Sequence, residues 1–200
     1  MTASVRWVLV QRWTAGPGRL FPTGSGPPSK DRRHHFVSAA TLLGTGDITS
    51  GSYQAIAIGL KRYGVTGKVK KDLEQLFRRM VFNILCNNSD DHLRNHGVIY
   101  HPGKGWCLSP AYDVVPQPDM GPGQPRQLTL GIGIDDSRSA TLNNALSVCE
   151  IFGLAVDDGQ SIIQQMKQTF LSRWETVFAA CNVPKKDFSA LAEAFVNHLY

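Results

Sequence analysis

Residues 82–97 read FNILCNNSDDHLRNHG, and residues 106–113 read WCLSPAYD. The first stretch is apolar as far as Cys86 and then turns polar. In the polar part, Asp90 is followed five residues later by Asn95, and Asp113 comes eighteen residues after that. Phosphoryl transfer uses such a set, one side chain to orient a hydroxyl nucleophile and two to hold Mg²⁺ on a nucleotide. These two stretches therefore define the candidate site.

A helix is predicted immediately before the polar stretch, over Lys68 to Cys86. Its apolar residues recur at three- and four-residue steps and form one stripe: Val69, Leu73, Leu76, Phe77, Met80, Val81, Ile84 and Leu85. The run NNSD at residues 87–90 should end this helix, because such side chains compete for backbone hydrogen bonds and favour turns. The stripe would anchor the helix while the loop after it faces solvent.

A β-hairpin is predicted directly after the polar loop. Its strands are Gly97 to Tyr100 and Trp106 to Ser109, and the turn PGKG at residues 102–105 joins them. A hairpin folds its two ends together. Asp113, just past the second strand, should therefore return towards Asn95.

The remaining pattern predicts a mainly α fold with this small β-hairpin at the active loop. Further elements are expected as a strand at Val5–Val10, helices at His34–Leu43 and from Ser50 to Gly64, a loop at Pro116–Pro125, a strand at Leu128–Ile134, and helices near Ala140–Phe152, Gly159–Ala180 and Asp187–Leu199.

Composition narrows the class of protein. The 200 residues are 42% hydrophobic and 18% charged, which suits one domain, or one lobe of a larger one, with a real core. The net charge of +5 is compatible with an anionic ligand, but no long basic run is present, so direct nucleic-acid binding is not expected. The four cysteines lack metal-ligand spacing. With no membrane span or secretory signal predicted, we expect a cytoplasmic protein with reduced thiols.

The acidic cluster has a definite chemistry. Asp90 is the candidate for accepting or orienting the substrate hydroxyl proton, and Asn95 and Asp113 are the candidate Mg²⁺ ligands, because hard ions prefer oxygen donors. Arg94 could neutralise phosphate charge. The bare spacing is also compatible with an ordinary turn after a helix.

A rival interpretation uses the histidines. His92 and His96, with Asp90, Asp91 and Asp113, could hold a transition metal for phosphate hydrolysis. The loop composition argues against a helix here, so the four-residue spacing would not bring both imidazoles to one side.

Residues 82–97 and 106–113 resemble the C-terminal domain of the HipA-like serine/threonine kinases, the toxin kinases of bacterial toxin–antitoxin modules. A weaker likeness over residues 32–44 and the C-terminal helices extends it to roughly residues 8–199. The resemblance implies a protein-kinase-like C-terminal lobe at residues 32–200, preceded at residues 1–31 by a partial hinge strand and a loop rich in Gly and Pro. It implies transfer of the ATP γ-phosphate to a Ser or Thr hydroxyl of a protein substrate.

The resemblance also implies roles for single residues. Asp90 matches the family's catalytic Asp, and Asn95 and Asp113 match its Mg²⁺-binding pair. The nucleotide-binding positions that it implies are Gln11, Arg12, Trp13, His92, Leu93, Arg94 and Tyr112. At the hinge, Trp13 replaces the family's Phe and Thr14 stands where an Asp is usual.

The family's N-terminal lobe, with its glycine-rich phosphate loop and phosphate-binding Lys, is not expected, because only nine residues precede Val10. We therefore expect weak or no kinase activity from the chain alone, with a separate N-lobe polypeptide as one possible partner. The alternative is a non-catalytic binding module that contacts an antitoxin, a HipB-like DNA-binding protein.

Overall fold

The computed structural model describes residues 34–117 and 125–184, together with residues 187, 188, 192 and 195. The predicted strand Val5–Val10 and the hinge residues Gln11, Arg12 and Trp13 lie outside the described residues. Most of the predicted loop Pro116–Pro125 and of the predicted last helix also lies outside them.

The described residues form a mainly helical fold with a small antiparallel sheet, as the sequence predicts. The strands and α-helices, in chain order, are β1 (Phe36–Ser38), α1 (Ala39–Leu43), α2 (Tyr53–Tyr63), α3 (Val69–Leu85), β2 (Gly97–His101), β3 (Gly105–Leu108), α4 (Leu142–Leu146) and α5 (Val156–Ala180). Short 3₁₀ turns lie at Leu93–Asn95, Ile134–Asp136 and Cys149–Phe152. No helix in this part of the chain combines the length and the apolar character that crossing a membrane requires.

Helix α3 is the central element of the core. It packs against α2, α4, α5, β3 and the 3₁₀ turn at Cys149–Phe152. Its predicted stripe is buried apart from the partly buried Val69, and from Arg79 to Leu85 every residue is buried. The prediction of this helix is confirmed within one residue at each end, since Lys68 and Cys86 are its caps. A helix covered all round at its C-terminal end gives the loop that follows it a rigid base.

The sheet has the strand order β1-β2-β3 and is antiparallel throughout. Val37 faces Val98, and Ile99 faces Cys107. The hairpin β2–β3 confirms the prediction made from the turn PGKG. The prediction of one helix over residues 34–43 is wrong in its first part, because residues 36–38 form strand β1. Phe36 and Val37 are bulky residues that pair with β2, and Ser38 then caps α1 by accepting a hydrogen bond from the Thr41 amide.

Two further predictions of secondary structure are wrong. The segment 128–134 is not a strand, although Leu128, Leu130 and Ile132 alternate inward as a strand's residues would. Its amides bond to scattered loop acceptors, such as Leu128 to Arg138 and Gly131 to Gly51, instead of to one neighbouring strand. The predicted helix 140–152 is broken at Val148, whose non-helical φ of −118° separates α4 from the 3₁₀ turn.

Aromatic rings join α5 to the rest of the core. Phe170, Trp174 and Phe178 of α5 all pack edge-on against Phe195, with ring centroids 5.0–5.9 Å apart. Phe82 of α3 meets Phe170 at 6.0 Å. Each such pair adds about 0.5–1.5 kcal/mol beyond its buried area. The long C-terminal helix is thereby fixed to α3.

The two isoleucines of α2 test how burial sets stability. Ile56 is 0% exposed and Ile58 is 59% exposed, although they lie two residues apart on one helix. We expect Ile56→Ala to lower the free energy of unfolding by about 2–5 kcal/mol, because it leaves a cavity. The matched control Ile58→Ala should cost less than about 1 kcal/mol. Urea denaturation measures both, and equal losses would contradict this placement of α2.

Candidate functional site

The site loop leaves α3 through a sharp turn and is held on the core by Leu93. The turn needs Asn87 in the left-handed region, with φ of 52°. Leu93 is 0% exposed, and its amide donates to the Ile48 carbonyl at 2.9 Å. A Cβ added to Gly51 would lie 2.9 Å from the Leu93 side chain, so a larger residue there would force Leu93 to shift. The contacts of Leu93 with Ile48 and Gly51 thus hold the 3₁₀ turn at 93–95 on the core.

Asp90 and Asn95 are joined by a hydrogen bond that closes the polar loop. The Asn95 Nδ2 donates to the backbone carbonyl of Asp90 at 2.7 Å. The Asp90 side chain is 71% exposed, whereas Asn95 is buried. Since the nitrogen of the Asn95 carboxamide is engaged, its Oδ1 is the atom left to face a ligand. The loop therefore presents one exposed carboxylate and one fixed amide oxygen.

Asp113 is brought to this loop by its neighbour Tyr112. The Tyr112 hydroxyl donates to the Arg94 carbonyl at 2.6 Å, and Arg94 directly precedes Asn95. The Tyr112 ring also packs edge-on against Phe36 of β1. Asp113 is exposed and has a φ of 52°, a region that Asp adopts more readily than most residues. The Tyr112 bond thus ties the Asp113 segment to the loop, and the convergence of the Asp113 and Asn95 side chains on one ion stays a prediction.

Helix α3 and the turn after it hold the Asp113 segment from both sides. Before Asp113, the Leu108 amide donates to Asp72 Oδ2 at 3.1 Å, and Arg79 Nη2 donates to the Ser109 carbonyl at 2.7 Å. After it, the Val115 amide donates to Asn88 Oδ1 at 3.3 Å. These contacts supply partners to backbone groups at the end of β3 and in the irregular segment that follows it.

A buried polar cluster lies beneath the loop. Asn83, 1% exposed within α3, donates from Nδ2 to the Tyr53 hydroxyl at 2.7 Å and accepts from Asn88 Nδ2 at 3.2 Å. Sequence reasoning missed Asn83, Tyr53 and Arg79, because it followed only the apolar stripe of α3. The available signal was a pair of polar residues, Arg79 and Asn83, inside a run of seven that is otherwise apolar.

Asp91, next to the candidate catalytic residue, has a structural setting. It is 0% exposed, and its Oδ1 accepts from the amides of Thr129 at 2.8 Å and Leu130 at 3.3 Å. Burial raises the pKa of Asp91 to about 6, while the Tyr53 hydroxyl and the two amides act in the opposite direction. Two adjacent aspartates therefore differ: Asp91 faces inward and fixes the segment 129–130, and Asp90 faces solvent.

The two histidines of the motif also differ. His96 is 1% exposed, its Nε2 lies 3.2 Å from the Asp91 carbonyl, and its ring packs edge-on against Tyr53. Burial, with the nearby Arg79 charge, lowers the pKa of His96 to about 3, so the ring is neutral. His92 instead lies beside the exposed loop, with Nε2 4.0 Å from Asp90 Oδ1.

This arrangement does not assemble the histidine-based metal centre. Within residues 34–117 and 125–184, no three or more His, Cys, Asp or Glu side chains gather as a metal ion would require. A site built from one carboxylate and one amide oxygen, Asp113 and Asn95, is of a different kind, and its oxygen donors fit Mg²⁺. All four cysteines are free thiols, as predicted.

Of the remaining predicted nucleotide-binding residues, some are described by the structure and some are not. Arg94 and Tyr112 lie at the loop, Arg94 exposed and Tyr112 half-buried. Leu93 faces the core, so any contact it makes with a nucleotide would come through its backbone. Gln11, Arg12 and Trp13 lie outside the described residues, and their role stays a prediction.

Comparison with known proteins identifies the family. A family model described as the HipA-like C-terminal domain matches residues 3–174. The chain therefore belongs to the HipA-like C-terminal domain family.

Two similar proteins give this result a context. "Putative kinase Y4dM" of Sinorhizobium fredii is 43% identical over 44 residues, which are 22% of this chain and 11% of that protein. A chain in the toxin–antitoxin complex of HipA, HipB and operator DNA from Shewanella oneidensis MR-1 is similar in fold, with a TM-score of 0.54 at 18% identity. The match covers 87% of this chain and 45% of that one, so this chain spans less than half of its length.

The neutral His96 predicts acid sensitivity. Its pKa is about 3 in the folded chain against 6.5 when free, so the unfolded chain takes up the proton first as the pH falls. His96 should therefore remove up to about 1.4 kcal/mol of stability per pH unit between pH 6.5 and 3. Urea denaturation of His96→Gln across this range should show a shallower loss than the wild type. A loss in His96→Gln as steep as that of the wild type would contradict a buried, neutral His96.

The buried Asp91 predicts a change of stability with pH that is opposite in sign to that of His96. Its pKa of about 6, above the ordinary 3.8, means that the folded chain takes up the proton first. The Asp91 contribution to stability therefore rises as the pH falls from 6 to about 4. Asp91→Asn removes the charge but can still accept from Thr129. Its stability relative to the wild type should be highest above pH 6 and decline by about 2–3 kcal/mol towards pH 4. A pH-independent difference would contradict a buried, charged Asp91.

Proposed function

We propose that this chain is the catalytic lobe of a HipA-like serine/threonine protein kinase, which transfers the γ-phosphate of ATP to a Ser or Thr hydroxyl of a protein. The observation that carries the proposal is the hydrogen bond from Tyr112 to the Arg94 carbonyl. It joins the loop bearing Asp90 and Asn95 to the segment bearing Asp113. Kinase catalysis depends on such joint placement, because positioning and electrostatics supply most of the rate.

Asp90 would act on the protein substrate. Its carboxylate is exposed, so a substrate hydroxyl can reach it, and the bond from Asn95 fixes its backbone. Asp90 would orient the hydroxyl and accept its proton as the oxygen attacks the γ-phosphorus.

Asn95 Oδ1 and the Asp113 carboxylate would hold Mg²⁺. The ion would supply charge neutralisation on the phosphate oxygens. The fit rests on donor chemistry, one amide oxygen and one carboxylate, and on the hydrogen bonds that fix both segments. Arg94, exposed directly before Asn95, would add positive charge near the phosphates, with His92, Tyr112 and the Leu93 backbone beside the nucleotide.

The proposed kinase needs more than this lobe. In the proposed division, residues 32–200 form the lobe, and residues 1–31 carry a partial hinge strand, with Gln11, Arg12 and Trp13 meeting the adenine, and a loop. A glycine-rich loop and a phosphate-binding Lys would come from an N-terminal lobe, in the same polypeptide or a separate one. The setting would be the bacterial cytoplasm.

A second candidate is a binding module for an antitoxin. The fold neighbour from Shewanella oneidensis is part of a complex with HipB and operator DNA, which favours a DNA-binding protein as partner. Titration with Mg-ATP separates the two functions. Absent nucleotide binding together with a stable complex with the product of the adjacent gene would favour the module.

Kinase activity is tested with the chain supplemented by an N-terminal lobe. Asp90→Asn and Asp113→Asn should each lower the phosphorylation rate by about 10²–10⁴-fold, since each removes a group that acts in the transition state. Transfer of ³²P from labelled ATP to a generic Ser/Thr substrate measures the rate. Asp158→Asn, at the exposed start of α5, removes the same charge and should leave the rate unchanged. Full activity of either site variant would remove the assigned role.

A further inference from the structure

Arg79 is a buried cation with little to balance it. It lies in the middle of α3, 6% exposed, and its Nη2 bonds to the Ser109 carbonyl. Its Nη1 is buried and has no hydrogen-bond partner among the described residues. No carboxylate of that part of the chain lies within salt-bridge distance, although Asp72 attracts it from farther away. Burial accordingly lowers the pKa of the guanidinium to about 10.

Fold stability alone does not explain a guanidinium here. The neighbouring buried positions of α3 are filled by Leu76, Phe77, Met80 and Val81. One hydrogen bond does not offset the desolvation of a full charge, and a methionine would fill similar space without that cost. A side chain that destabilises the fold is expected to have another role. The Ser109 carbonyl, which accepts the guanidinium's hydrogen bond, lies directly after β3.

The Arg79 bond fixes the backbone that leads to Asp113. Ser109 lies four residues before Asp113, and Pro110 stiffens the path between them. Three residues after Ser109, Tyr112 bonds to the Arg94 carbonyl beside Asn95. Arg79 therefore fixes the start of the segment that Tyr112 joins to the loop.

We infer that Arg79 is a positioning residue, which holds the Ser109–Asp113 segment so that Asp113 shares a cation with Asn95. The use of Asp113 and Asn95 as cation ligands rests on the proposed function. The hold on the segment rests on geometry alone. Arg79 itself touches neither nucleotide nor metal in this scheme.

The neighbouring residue provides a matched control. Arg78 is also on α3, but it is partly exposed and bonds to Glu74 on the same helix at 2.9 Å. Arg79→Met and Arg78→Met remove the same charge from adjacent positions. Arg79→Lys keeps a positive charge and a hydrogen-bond donor at the buried position 79. If Arg79 serves mainly the site, Arg79→Met should change the melting temperature by no more than about 4 °C.

Hydrogen–deuterium exchange of the full 200-residue chain tests the hold on the segment. Residues 111–115 should exchange about tenfold faster in Arg79→Met, with α3 unchanged, because the segment opens locally. Arg79→Lys should restore part of the protection, and Arg78→Met should match the wild type. Unchanged exchange in Arg79→Met would overturn the inference, and so would loss of protection throughout the fold.

Binding of Mn²⁺ with ATP, followed by the paramagnetic signal of Mn²⁺, tests the consequence for the site. Arg79→Met should bind about tenfold more weakly, which is typical when a residue supporting a metal ligand is removed, and Arg78→Met should bind like the wild type. Wild-type affinity in Arg79→Met would overturn the positioning role while leaving the proposed function intact. A wild-type chain that binds no Mn²⁺ would instead refute the cation site, and the exchange result would then decide the hold alone.

Discussion

The irregular backbone around Asp90 and Asp113 depends on hydrogen bonds from polar side chains of α3 and the turn after it. Buried loop backbone without partners is costly, and no strand is available to pair with it. Asp72, Arg79, Asn87 and Asn88 supply partners to the backbone of residues 108–117 at heavy-atom distances of 2.7–3.3 Å. Asn83 in turn holds the Asn88 side chain at 3.2 Å. One helix therefore supports both the loop that carries Asp90 and Asn95 and the segment that carries Asp113. Because its apolar stripe is packed in the core, the helix is a rigid support for both.

The charges of the site are separated by burial. Asp91 and His96 sit beneath the loop and serve its shape, whereas Asp90, Arg94 and Asp113 face solvent. The sequence motif does not show which of these residues are buried. The alternative histidine-based metal centre combined buried and exposed residues for that reason. Burial removes His96 from any role as a cation, because a neutral imidazole is all that the dry interior allows. The exposed charged groups that remain are the carboxylates of Asp90 and Asp113 and the guanidinium of Arg94.

Local patterns were sufficient to predict much of the fold. The stripe of α3, the turn between β2 and β3 and the start of α2 each depend on neighbours in sequence, and each was predicted to within a few residues. The errors came where distant contacts decide. Residues 36–38 form a strand because β2 lies beside them, and residues 128–134 stay irregular because Asp91, Ser89 and Gly51 accept hydrogen bonds from their amides. The hairpin made contact between the loop and the segment after β3 predictable, but the polar residues that hold this segment were not predictable.

The left-handed conformation of Asp113 restricts what evolution can place there. A glutamate would carry the same charge, but its longer chain tolerates this backbone poorly and would carry the oxygens farther out. Glycine would relax the backbone and remove the carboxylate. Asparagine meets the conformational demand and keeps an oxygen, but it loses the negative charge. In the proposed kinase, position 113 is therefore constrained both by backbone geometry and by charge.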